Sequence, residues 1–170
     1  MAEKTDRTGG NRMEQNAEIA PRKGLYFEDF AVGQRVVSQG RTITEADIVA
    51  FAGLTGDWNP LHTDAEHARG TLFGERIAHG LLILSVASGL ASRLGFMEGT
   101  VEAFLGLEWK FRAPVKIGDT VHLEAQVAGV RAMPRLGGGI VTFDVKVINQ
   151  RNETVEKGTW EVLVKSKGSS

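Results

Sequence analysis

In the segment GDWNPLH, Gly56 to His62, a carboxylate and an imidazole stand five positions apart on either side of Pro60. On a continuous α-helix that spacing would send Asp57 and His62 to different faces. Pro60 has no N–H to donate and pushes Asn59 out of the helical region, so the chain must turn between them. A turn of this kind lets an acid and an imidazole converge, a pairing suited to moving protons near neutral pH. The preceding IVAFAGLTG is apolar. Asp57, Asn59 and His62 are therefore expected to enter beside buried surface, where solvation is weak and pKa values are adjustable. The bland alternative uses the same residues: an ordinary helix-ending turn with an Asx-type hydrogen bond at Asp57 or Asn59.

A second segment, RIAHG, ends at His79-Gly80 and opens the apolar run LLILSVASGLASRL, Leu81 to Leu94. Gly80 puts a backbone N–H with no side chain at the start of a helix, where orphan N–H groups and the macrodipole attract negative charge. Such an end can take a developing oxyanion or a phosphate. Equally, Gly80 can serve only to let the helix pack closely on its neighbours.

The elements that must position these groups follow from pattern. Gln34 to Ile43 reads as a short strand, and Thr44 with Asp47 three residues on forms a capping box for a helix running toward Gly56. Beyond the turn, Thr63 or Asp64 caps a short helix that stops near Gly70. The run from Leu81 is apolar almost all round, interrupted by Ser85, Ser88, Ser92 and Arg93, and is expected to be enclosed at the centre. Burying its seven large apolar side chains would stabilise by ~10–20 kcal/mol gross. At ~1.5 Å per residue it is too short for the ~30 Å core of a bilayer.

In the C-terminal half the period changes to two: Val121, Leu123, Ala125 and Val127 alternate with polar residues, as do Val141 to Val147 and Trp160 to Val164. With the VEAFLGLEWKFRAPV stretch before them, four long strands in an antiparallel meander are expected, giving an α+β domain whose sheet is covered by the helix from Leu81. Gly137 to Gly139 lies between strands with no helix after it, so it is not a phosphate loop.

Composition fits one domain in 170 residues. A net charge of -1 gives no basic field for nucleic acid or an anionic membrane. The absence of cysteine excludes disulfides, thiolate catalysis and Cys-ligated zinc, and makes the cytosol the natural compartment. Residues 1–24 mix both charge signs without an apolar run and read as a disordered arm, the folded domain as 25–165, and 166–170 as a flexible end.

Taken together, GDWNPLHTDAEHA, FGERIAHGLL, KFRAPVKIGDTV and the early YFEDFAVGQ resemble, in order and spacing, the MaoC-like (R)-specific enoyl-CoA hydratases, which have the hot-dog fold. The resemblance spans about Tyr26 to Val164. It implies a sheet wrapped around a long helix, a homodimer or a dimer-based oligomer, and an acyl-CoA or acyl-carrier-protein thioester entering near the subunit interface, with no cofactor. Carried over by position, the catalytic pair falls on Asp57 and His62, the oxyanion donor on the Gly80 amide, and a pocket serine on Ser88. Hydration of a 2-enoyl thioester would then use Asp57 to take a proton from water and neutral His62 to hold that water, the division of proton work staying open. Asn59 would fix His62 or the water, or simply hold the turn. His79 is a further candidate beside the substrate, and Lys110 and Arg112 are candidates for a coenzyme A phosphate, although alternating charge on an exposed strand explains them too.

His67 and His122 read as solvent-facing. A metal site from His62, Asp64 and His67 is disfavoured because five-residue spacing does not put two histidines on one helix face. The competing functions are a hot-dog thioesterase and a non-catalytic acyl-binding subunit.

Overall fold

A computed structural model of the chain describes residues 18–19 and 24–168. The stretch expected to be one strand is two, β1 (Arg35–Val37) and β2 (Arg41–Thr42). Between them the Ser38 hydroxyl donates to the Gln39 carbonyl and accepts from the Leu123 N–H, taking over a ladder position that a continuous strand would have filled. Helix α1 (Glu45–Thr55) begins in the expected capping box, Thr44 with Asp47, and ends on Gly56 at φ 78°, a left-handed position that glycine takes without strain. Two short helices follow, α2 (Pro60–Thr63) and α3 (Ala65–Arg69), the latter capped by the Asp64 carboxylate on the Glu66 and His67 amides. Then comes the long helix α4 (Gly80–Arg93).

The four long strands are β3 (Val101–Phe111), β4 (Thr120–Met133), β5 (Gly138–Asn149) and β6 (Thr154–Lys165). They build, with β1 and β2, a six-stranded antiparallel sheet in the order β1-β4-β5-β6-β3, with β2 also on β4. Only β4 to β6 form the expected meander. β3 does not pair with the strand that follows it but with β6 at the opposite edge, in a register that sets Phe111 against Glu156. The crossover after β3 therefore has to travel past two strands. It is anchored on the way, with the Arg112 and Ala113 amides on the Val155 carbonyl and the Val115 carbonyl accepting from Ala78 N–H.

The concave side of the sheet packs on α4 through Leu82, Ile83, Val86 and Leu90. Four large side chains at ~1.5–3 kcal/mol each give ~6–12 kcal/mol gross, less than the sequence suggests. The difference lies in the helix's other side. Leu81 is 59% exposed, and Ser85, Ser88 and Ser92 follow it at spacings of four, three and four, so one stripe of α4 is open rather than enclosed.

Most of the expected N-terminal arm lies outside the described residues. Of it, Ile19 donates to the Arg35 carbonyl and packs against the core. At the other end, Ser166 and Lys167 are bonded to the domain where a flexible tail is expected: Ser166 donates to the Gly137 carbonyl, and Lys167 bonds Glu28 through its backbone and Asp29 through its side chain.

Candidate active site

Asp57 and His62 are brought together by two consecutive local devices. Gly56 ends α1 in a left-handed turn, and Pro60 opens α2 at the first position, where a missing N–H is harmless. Asn59 is the cap between them. Its side-chain oxygen accepts from the Leu61 N–H at 3.0 Å, so it holds the turn and does not reach His62's ring. The Asp57 carboxylate in turn accepts from the Asn59 N–H at 3.3 Å.

The histidine rings then lock this turn to the strand-like residues before α4. His62 Nδ1 lies 2.8 Å from the Ile77 carbonyl, and His79 Nε2 lies 2.9 Å from the Asp57 carbonyl. A carbonyl only accepts, so both nitrogens carry protons. His62 is left with a basic Nε2, and His79 with a buried Nδ1 that has no partner among the described residues. The two rings stack with centroids 3.8 Å apart, and Phe51 of α1 closes on His79 from behind at 5.1 Å. Burial, chiefly, and the neighbouring His79 hold the His62 imidazolium below its ordinary range, against the opposing pull of the Ile77 bond and of Asp57. His62 is thus neutral at neutral pH and able to accept a proton.

These groups open on one cleft of about 400 Å³, lined by Asp57, His62, His79 and Gly80 together with apolar Ile77, Ile83 and Val115. The Gly80 N–H has no acceptor among the described residues and sits at the positive end of α4. Phe111 lies directly over it: a Cβ on residue 80 would meet the ring at 2.5 Å. Asp57 is wetter than expected, its side chain 54% exposed in the single chain.

The other candidates divide between this cleft and other hollows. His79 lines the cleft, yet it is 2% exposed and its Nε2–H fastens the Asp57 backbone. Ser88 lines a second cavity, of about 680 Å³, with Phe104, Trp160 and Val162. Arg112 lines the mouth of the Asp57 cleft, whereas Lys110 lies in a separate hollow with Asp144 and Lys157. The ligand atoms of Asp57, His62 and His79 come within 4.8 Å of one another. Ile77 and the Asp57 carbonyl already occupy one nitrogen of each histidine, and the other nitrogen of His79 is buried.

One titratable cleft residue was not among the expected set. Glu156, 2% exposed, accepts from the Trp109 indole N–H at 2.7 Å, and burial pushes its carboxyl up to about 7 despite that bond. Its signal is present in the sequence: counting back by twos from Trp160 puts residue 156 on the inward side of β6.

Comparison with known proteins bears on the family and the fold. Residues 29–149 match the family model described as MaoC like domain. The chain is similar to an (R)-specific enoyl-CoA hydratase of Rhodospirillum rubrum, 43% identical over 106 residues, which is 62% of this chain and 71% of that protein. It superimposes on an R-hydratase of Pseudomonas aeruginosa with a TM-score of 0.71 at 32% identity, covering 85% of this chain and 88% of the other. A Mycobacterium tuberculosis protein with a double hot-dog fold matches at TM-score 0.74 and 21% identity, over 86% of this chain and 46% of its own, which bears on the fold alone. A sheet curled around one long helix is the hot-dog architecture, and the chain belongs to the MaoC-like family.

Proposed function

We propose that this chain is an (R)-specific 2-enoyl-CoA hydratase, equally able to run in reverse as a 3-hydroxyacyl-CoA dehydratase, with Asp57, His62 and the Gly80 amide as its machinery. The observation that carries this reading is the proton placement on His62: Nδ1–H is committed to Ile77, leaving Nε2 as a base in the cleft that Asp57 and the Gly80 N–H also line. A water held between Asp57 and His62 gives a proton to that pair as its oxygen bonds to C3. Negative charge then builds on the thioester oxygen, which takes the Gly80 N–H as donor. Protonation at C2 completes the addition, and a single water position accounts for a single hydroxyl configuration.

The test is loss of the enoyl absorbance of crotonyl-CoA, with chiral analysis of the product. An (R)-3-hydroxyacyl thioester is expected, without free thiol; release of free thiol would replace hydration by hydrolysis. Since His62 has to be neutral and is held below its usual value, the acid limb of kcat/KM is expected to have its half-point below pH ~6.5. An acid limb above pH 7 would remove His62 from the base role.

The acyl chain, in this reading, runs from Gly80 along the open stripe of α4 toward the cavity at Ser88, eight residues or ~12 Å on. Two copies pair along β3. That strand ends the sheet, is bonded on one side only, and exposes Phe104, Leu105, Leu107 and Phe111. A long apolar edge is a ready template for a second strand. Sedimentation is expected to give a dimer, and the L105K/L107K variant a monomer; a monomeric wild type would exclude this pairing. The substrate is an acyl thioester, and the lack of cysteine fits work in the cytosol.

A further inference from the structure

Glu156 has no part in the hydration steps, yet the fold goes to some length to place a carboxyl there. It stands on the concave side of β6, in the inward series that continues with Trp160, Val162 and Val164, all buried and apolar. Position 158 in that series is glycine, and a Cβ there would meet the Glu108 carbonyl oxygen before the Trp109 ring at 2.6 Å. The missing side chain thus lets the β3 backbone approach β6 closely, and the Trp109 indole lies across β6, stacked on Trp160 at 5.9 Å, with its N–H reaching Glu156. That bond occupies one carboxyl oxygen. The other has no partner among the described residues and belongs to a side chain that lines the catalytic cleft. That oxygen is not among the fully buried atoms without a partner, so it meets the cleft, where water can serve it until a substrate displaces that water.

The location says which part of a substrate would meet it. Glu156 lines the cleft that holds Gly80, while Trp160, four residues along the same strand, lines the cavity at Ser88. Four residues of strand span ~13 Å, matching the ~12 Å from Gly80 to Ser88 along α4. A chain running from the thioester at Gly80 toward Ser88 thus passes Glu156 within its first few carbons.

We propose that Glu156 is a specificity-determining residue whose free oxygen hydrogen-bonds a hydroxyl carried by the acyl chain just beyond the reacting double bond, so that the preferred substrates are enoyl thioesters hydroxylated next to that bond. A hydroxyl suits this partner in either protonation state, since it donates to a carboxylate and both donates to and accepts from a carboxylic acid. An alkyl group in the same place leaves the buried oxygen unpaired, and sites built to bond a hydroxyl discriminate strongly against analogues that lack it.

This proposal rests on the hydratase reading, and the experiment separates the two. The (E)-4-hydroxy-2-butenoyl and (E)-2-pentenoyl thioesters of coenzyme A have acyl chains with equal numbers of non-hydrogen atoms, and differ in a terminal hydroxyl against a methyl. Wild-type enzyme is expected to favour the hydroxylated thioester by about 10-fold or more in kcat/KM, E156Q to keep part of that preference, and E156M, similar in length without a strong hydrogen-bonding group, to reverse it. Equal rates in the wild type, or a preference for the pentenoyl thioester, overturn the role of Glu156 whether or not the variants fold. A hydroxyl preference that survives in folded E156M overturns it as well. If neither thioester nor crotonyl-CoA is hydrated, the reaction itself is wrong and the proposal falls with it.

Discussion

Asp57→Asn and His62→Gln are each expected to lower turnover of crotonyl-CoA by at least ~10²-fold, about 2.7 kcal/mol of transition-state stabilisation, while the protein stays folded. Both changes keep the local architecture. Asparagine retains an oxygen to accept the Asn59 N–H, and glutamine retains a donor able to reach the Ile77 carbonyl. What each removes is a proton acceptor facing the cleft. The effects are expected to be strongly non-additive, because two groups holding one water act as a unit, and the double variant should be little worse than the poorer single. Turnover within a few-fold of wild type in either single variant, with the fold checked by circular dichroism, would take that residue out of the mechanism.

Gly80→Ala separates stability from activity in the opposite way to most glycine substitutions. Gly80 does not have a positive φ, and it stands at the first position of α4, so alanine is conformationally acceptable and favoured by helix propensity. The obstacle is Phe111, whose ring atoms would lie 2.5 and 2.6 Å from the new Cβ. Phe111 is itself exposed at the cleft, so its ring can swing rather than unfold the protein. Either the ring moves into the substrate's space or the first turn of α4 shifts its N–H away from the thioester oxygen. Misplacement of ~1 Å can lower a rate ~10²-fold, and loss of one oxyanion donor ~10²–10³-fold. The expected result is a melting temperature within a few degrees of wild type with activity reduced to about 1% or less. Near-native activity would mean that the thioester oxygen is held elsewhere.

Much of the chain's organisation was legible from pattern because local forces set it. The alternation at Val121–Val127 and Val141–Val147 requires strands, the Thr44/Asp47 box starts α1, and Pro60 enforces the turn that unites Asp57 with His62. Strand order was not legible in the same way. Nothing local to β3 distinguishes pairing with β4 from pairing with β6; that choice is made by the crossover reaching Ala78 and Val155. The long helix was read as enclosed from its composition, yet the serines at 85, 88 and 92 share a face with Leu81 and mark its open side. The surroundings of Lys110 are not legible from β3 alone either: its neighbours across the sheet, Asp144 and Lys157, come from strands distant in sequence. His79 and Glu156 owe their roles to partners 22 and 47 residues away, which no spacing rule anticipates.

The two histidine bonds have a consequence for engineering. His62 reaches from the turn to the Ile77 carbonyl, and His79 reaches from beside Ile77 back to the Asp57 carbonyl, so each segment supplies the side chain that fastens the other's backbone. Neither half is a portable cassette. GDWNPLH grafted alone onto a foreign scaffold would carry both reactive groups but nothing to aim the imidazole or restrain the acid. The smallest transplantable unit is the pair of strands of chain, 56–62 with 77–80, delivered at their native separation.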